Sequence, residues 1–245
     1  MKTVICVGCS WTYGYNIEVE ETYPKILEKS LDDTKVINAG HCGADIDYTI
    51  YSASKLIDFY RPNLVLFQLS TLDRLTLGTD GYENFINDKF VDSEGERIYQ
   101  ESDRLLGIGN GVKTKIAVGS YINKDKSREF KESTMRTTID KYSTFIEVLF
   151  ENVVHSNYSF YKLKNNLKLF HAYAKSKGTE VIYFRWLNST PIEPLCENLP
   201  YKIQAVEDII DSSLFIDNGF HLDSIGNERV VNEFILPLLK EKYGL

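Results

Sequence analysis

The sequence predicts an α/β domain: a parallel sheet of about five strands with helices on both faces. Three observations carry that prediction. Short, continuous apolar runs recur, as strands buried on both faces require. Stretches of helical period lie between them. Polar, glycine-bearing loops follow the apolar runs, and in a parallel sheet the loops beyond the carboxyl ends of the strands are where ligands bind.

The elements follow in order. Thr3 to Gly8 is the first apolar run, and Glu18 to Ser30 reads as a helix with Tyr23, Ile26 and Leu27 on one face. Lys35 to Ala39 is the second strand. Asp47 to Tyr60 is the second helix, with Ile50, Ala53, Leu56 and Ile57 inward. Pro62 breaks the chain before a third strand, Leu64 to Leu69. From about Thr76 to Lys131 the chain is polar and without period. A stretch of that size suits a lid-like insertion between strands three and four of a single domain, 1–245. Helical patterning resumes over Thr134 to Val154 and Tyr158 to Ser176. "TEVIYFRWL", from Thr179, is the fourth strand. Ile203 to Ile210 reads as helical, "SSLFI" from Ser212 as a weak fifth strand, and Ile225 to Tyr243 as a closing helix.

Composition excludes several classes of function. The 245 residues carry a net charge of −7, against the basic face that nucleic-acid binding needs. The basic stretch Lys113 to Arg136 adjoins an acidic one holding Asp88, Asp92, Glu94, Glu96, Glu101 and Asp103, a self-compensating surface. No run approaches the roughly 20 apolar residues of a membrane span, and no secretory signal opens the chain. Of the four cysteines, Cys6 and Cys9 form a single CxxC with no second pair to complete a zinc site, and all four read as reduced thiols. The expectation is a cytoplasmic protein with no metal, no cofactor, no nucleic-acid partner and no membrane contact.

Three strand-end loops come together in such a sheet: Gly8 to Gly14, Gly40 to Asp45 and Ser70 to Arg74. Asp217 to His221, after the weak fifth strand, joins them. The first loop is not a phosphate loop. Gly8 and Gly14 are one residue too far apart, and Tyr15 stands where the lysine belongs. Nor is "GHCGAD" a dinucleotide fingerprint. Ser10, just past the first strand, is the better candidate, because a tight turn there exposes its Oγ and directs its N–H into an oxyanion site. The sequence departs from the GxSxG elbow at Trp11-Thr12. A serine hydroxyl needs a base at neutral pH. Of four histidines, only His221 falls in a strand-end loop with an acid, Asp217, just before it. His155 and His171 fall in helical stretches, and His41 lines the second loop. The plainer alternatives are a polar turn for Ser10 and packing for Trp11 and Tyr13, which otherwise wall an acyl pocket. Cys9 and Cys42 lie in the same loops, but their spacing does not support a metal.

Read together, the motifs resemble the SGNH (GDSL) hydrolases. "GCSWTYG" looks like a GCS variant of block I, whose usual form is GDSxTxG, and it is similar to forms in bacterial and phage members. "NAGHCGAD" resembles block II, with Gly43 matching the glycine that supplies an oxyanion N–H. "PNLVLFQLSTLDR" resembles block III, and "DNGFHLDSIGN" block V, with its histidine at His221. The resemblance implies a three-layer flavodoxin-like fold and ester hydrolysis through an acyl-serine intermediate. Three departures stand out. Cys9 replaces the aspartate before the serine. Leu72 occupies the place of the oxyanion asparagine of block III, with Ser70, Thr71 or Arg74 the residues near enough to substitute. Asn218 stands three before His221, with Asp217 four before, so either Asp217 or a backbone carbonyl orients the imidazole. Asp223 reads as a helix N-cap.

The function so implied is a serine esterase acting on a small-molecule or glycan ester, such as an O-acetyl group on a carbohydrate. The alternatives are a catalytically weak or inactive module of the same type that binds glycan or a protein partner, and an acyltransferase.

Overall fold

The structure is a computed structural model and describes residues 2–41, 44–70, 75–78, 115–118, 157–185, 204–206, 210–216 and 221–243. Its strands are β1 (Lys2–Gly8), β2 (Thr34–Gly40), β3 (Leu64–Leu69), β4 (Leu75–Gly78), β5 (Lys115–Val118), β6 (Glu180–Arg185), β7 (Gln204–Ala205), β8 (Phe215–Ile216) and β9 (His221–Leu222). Its helices are α1 (Ser10–Tyr13), α2 (Tyr23–Ser30), α3 (Ile46–Tyr60), α4 (Asn157–Ser176), α5 (Ser224–Arg229) and α6 (Leu236–Tyr243).

Five strands form one parallel sheet in the order β2-β1-β3-β6-β7. Counted along the chain this is 2-1-3-4-5, the flavodoxin-like order, whose switch point lies between β1 and β3. Register runs from Lys2↔Thr34 to Gly8↔Gly40 on one side of β1, and from Val4↔Leu64 to Val7↔Phe67 on the other. β3 meets β6 from Leu64↔Glu180 to Leu69↔Arg185. The carboxyl ends of β1 and β2 therefore finish level, and the chain leaving β1 emerges into the crevice beside β3.

Side chains alternate across the sheet, so each strand feeds two cores. Val4, Cys6, Leu64, Leu66, Ile182 and Phe184 pack against Tyr23 and Leu27 of α2 and against Val230, Phe234 and Leu239 near the C-terminus. On the other face Ile5, Val7, Val65, Phe67, Val181 and Tyr183 meet Ala53, Leu56 and Ile57 of α3 and Leu167 and Phe170 of α4. Both faces are covered, which is why these strands read as unbroken apolar runs.

Helix ends follow local chemistry. Asp45 caps α3 by accepting from the N–H of Tyr48 at 2.7 Å, and Arg61, in the left-handed region at φ 48°, ends it before Pro62. The predicted helix from Glu18 is split. Val19–Glu21 is a single 3-10 turn, and Pro24, in the first turn of α2, starts a new helix where no N–H is required. Between α5 and α6 the closing helix widens to a π-helix over Val230–Ile235.

The last sheet strand differs from expectation. The segment read as helical from Ile203 supplies β7, a strand of 2 residues at the sheet edge. "SSLFI" is a 3-10 turn followed by β8, which pairs antiparallel with β9 outside the main sheet. A three-residue apolar run fits either place, and only tertiary pairing decides. Within the predicted insertion, β4 and β5 pair antiparallel from Leu75↔Val118 to Gly78↔Lys115. The rest of that segment and the helix expected over Thr134 to Val154 lie outside the described residues.

Phe67 is fully buried, with its ring 5.3 Å from that of Phe170 and 5.4 Å from that of Tyr183. Phe67→Ala is expected to cost about 3–5 kcal/mol of unfolding free energy, read from the midpoint of urea denaturation.

Candidate active site

β1 ends at Gly8, and Cys9 stands as the N-cap of the single turn α1 with no side-chain cap of its own. Gly14, at φ 82°, closes that turn: its N–H and that of Tyr15 donate to the carbonyl of Ser10 at 3.0 and 3.1 Å. The space is tight. A Cβ on Gly40 would strike the backbone of Thr12 and Tyr13, and one on Gly8 would strike the side chains of Gln68 and Thr12. Two glycines let β2 and β3 close on the turn that presents Ser10. Ser10 itself is buried, and among the described residues its N–H makes no hydrogen bond.

His221 reaches the same place from the other end of the chain. It lies on β9, opposite Ile216 of β8. The strand is held from behind by buried Asn227, whose Nδ2 donates to the carbonyls of Asp223 at 2.8 Å and Leu222 at 3.4 Å. Asn227 Oδ1 accepts from the N–H of Tyr23 at 3.1 Å, tying the segment to the start of α2. The Asp223 carboxylate accepts from the N–H of Gly226 at 2.7 Å and caps α5, as its sequence position suggests.

These two supports bring His221 Nε2 to 2.9 Å from Ser10 Oγ, across 211 residues of chain. The rings of Tyr15 and Trp11 lie 5.1 and 5.8 Å from the imidazole, and Trp11 meets Phe215 edge-on at 5.6 Å. A narrow recess lies here, with Ser10, Trp11, Tyr15 and His221 in its walls. An imidazole nitrogen at this distance from a hydroxyl can take its proton as the oxygen attacks an electrophile.

The other predicted residues fall as follows. Trp11 serves both readings, since it walls the recess and belongs to the buried core beneath α2. Tyr13 is half-buried and lines a neighbouring groove with Tyr15, Asn16 and Glu18. His41 donates its N–H to the carbonyl of Gly8 at 2.9 Å, and its ring rests edge-on against Tyr48. Ser70 is buried just past the end of β3, and among the described residues its Oγ has no hydrogen-bond partner. Gly43, Thr71, Arg74 and Asp217 lie outside the described residues, as do Cys42 and Leu72. Cys9 is 2 % exposed and packs in the core. Burial pushes the thiol of Cys6 well up.

Tyr15, Gln68 and Asn227 are the site-forming residues that sequence reasoning missed. The only signals are a lone amide in the apolar run "LVLFQL" and an asparagine after "HLDSIG".

No protein-family model matches the chain, and no curated protein matches it in sequence. Solved structures do. Esterase EstA from Pseudoalteromonas sp., solved inhibited by monoethylphosphonate, superimposes with a TM-score of 0.55 at 12% identity, covering 100% of both chains. TesA gives 0.54 at 13% identity over 98% of this chain and 99% of that one. A G-D-S-L family protein from Desulfitobacterium hafniense gives 0.50 at 10% identity over 98% and 100%. The chain has the SGNH hydrolase fold. The Ser10–His221 pair sits over the carboxyl end of β1, beside the switch point of the sheet.

Asn227→Ala leaves the buried N–H of Tyr23 without its acceptor and unties β9. It is expected to lower stability by about 1–3 kcal/mol, read by urea denaturation. Asn227→Asp keeps the acceptor for Tyr23 but sets a buried carboxylate oxygen against the carbonyls of Leu222 and Asp223, and is expected to lose at least as much.

Proposed function

We propose that the protein is a serine esterase that cleaves a carboxylic ester through an acyl-serine intermediate. The observation that carries this is the 2.9 Å approach of His221 Nε2 to Ser10 Oγ. The fold shared with EstA supports it.

In this mechanism His221, neutral, accepts the Ser10 proton as Oγ attacks the ester carbonyl. The imidazolium then gives that proton to the departing alcohol, leaving acyl-Ser10. Water, deprotonated by His221, attacks the acyl carbonyl and releases the acid, returning the proton to Ser10. The N–H of Ser10, which has no partner among the described residues, and that of Gly43 receive the developing oxyanion. Either Asp217 or a backbone carbonyl orients the imidazole. Ser70, whose hydroxyl has no partner among the described residues, stands two residues before Leu72, which occupies the place of the block III asparagine.

The acyl group is small. The walls beside Ser10 are the rings of Trp11 and Tyr15, which stand close to the imidazole and favour a small acyl group such as acetyl. The alcohol side leads past Tyr15 to the groove lined by Tyr13, Asn16 and Glu18, a polar surface suited to a carbohydrate.

Fluorophosphonate labelling and turnover of p-nitrophenyl acetate test the proposal. Wild type is expected to label and turn over. Ser10→Ala is expected to lose labelling entirely, and Ser10→Ala and His221→Ala to lower kcat by at least about 10³-fold. A wild type silent in both assays, or a Ser10→Ala variant that labels as well as wild type, overturns it.

A further inference from the structure

Gln68 is 1 % exposed and sits one residue from the end of β3, on the face that carries α1 and α2. Burying an amide so completely is costly unless its groups are bonded, and here they are. Oε1 accepts from the N–H of Cys9 at 2.7 Å and lies 3.4 Å from Thr12 Oγ1, while Nε2 donates to the carbonyl of Leu69 at 2.7 Å. Turning the amide over would set donor against donor at Cys9 and acceptor against acceptor at Leu69, so its orientation is determined. Thr12 Oγ1 is in turn 3.3 Å from the hydroxyl of buried Tyr23, so the bond belongs to a buried polar network.

The bonded group is the peptide N–H immediately before the nucleophile. Cys9 is the N-cap of α1, and no side chain of its own turn caps it. β3, 59 residues away, supplies the acceptor instead. Fixing the Cys9 N–H fixes the plane of the Gly8–Cys9 peptide. That plane sets the direction in which Ser10 leaves the strand, and hence where its Oγ and N–H point. The absence of a Cβ at Gly8 is what lets the amide come this close.

We infer that Gln68 is a positioning residue for the nucleophile, aligning Ser10 through the Cys9 N–H without touching substrate. This inference rests on the esterase reading of Ser10. It gives β3 a part in the site through its penultimate residue, in a chain that carries Leu72 at the place of the usual block III asparagine.

The test uses Gln68→Met, which keeps the volume but offers no acceptor, and Gln68→Asn, whose amide is one methylene too short. Each is assayed with p-nitrophenyl acetate and a fluorophosphonate, at a temperature where circular dichroism reports the variant folded. Cys9 amide hydrogen exchange is followed by NMR in the wild type. Expected are kcat and the labelling rate lowered by about 10- to 100-fold, KM within about twofold of wild type, and slow exchange of the Cys9 amide. Three outcomes overturn the inference: kcat within about twofold of wild type in folded variants, a raised KM with unchanged kcat, or Cys9 exchange as fast as in an open peptide. If neither variant folds, the exchange rate decides alone. A wild type that neither labels nor turns over ends the esterase reading, whereas an active wild type with unimpaired Gln68 variants ends this inference only.

Discussion

At the carboxyl end of β1 the chain turns inside a space bounded by β2 on one side and β3 on the other. On the β2 side the turn meets Gly40, where any Cβ would strike the backbone of α1. On the β3 side it meets the amide of Gln68, against Gly8. A strand at the edge of the sheet would be gripped from one side only. Because the order is β2-β1-β3, the turn after β1 is held from both, and Ser10 has little freedom left. The nucleophile's position is thus a property of the sheet, with loop chemistry adding only the αL closure at Gly14.

The partner histidine depends on a different layer. β9 is too short to hold itself, and its two-residue pairing with β8 is weak support. Asn227 links it to the N-terminus of α2, and α2 is in turn fixed by Tyr23 and Leu27 in the core above β1 and β3. The Ser10–His221 contact therefore joins the sheet to one helical layer. Trp11 and Tyr15 flank the imidazole, their ring centroids 5.8 and 5.1 Å from it. Disorder in the α2 layer would move the base and, through the contact of Tyr23 with Thr12, also loosen the turn that carries Ser10.

The same division explains what was legible in the sequence. β1, β2, β3 and β6 were readable because strands buried on both faces must be continuously apolar. Leu64 to Leu69 is matched residue for residue. β7 and β8 were not, since two-residue strands carry no period and are assigned by what lies beside them. Ser10 and His221 stood out as reactive side chains at strand ends. Gln68 and Asn227 did not, because each acts through a hydrogen bond to a backbone N–H far along the chain, 59 and 204 residues away. In a linear reading a glutamine in an apolar strand is an anomaly. Its partner appears only when β3 lies beside β1.

Cys9 takes on a different meaning once that bond is known. In the family pattern the position before the serine is usually an aspartate. Here the side chain packs in the core at 2 % exposure, beside neighbours such as Trp11 and Tyr23. A carboxylate so placed would need a partner to offset desolvation, whereas a small thiol needs none. What residue 9 contributes to the site is its peptide N–H, and every residue but proline has one. The conspicuous side chain is free to follow the packing, provided that Gln68 continues to hold the backbone beneath it.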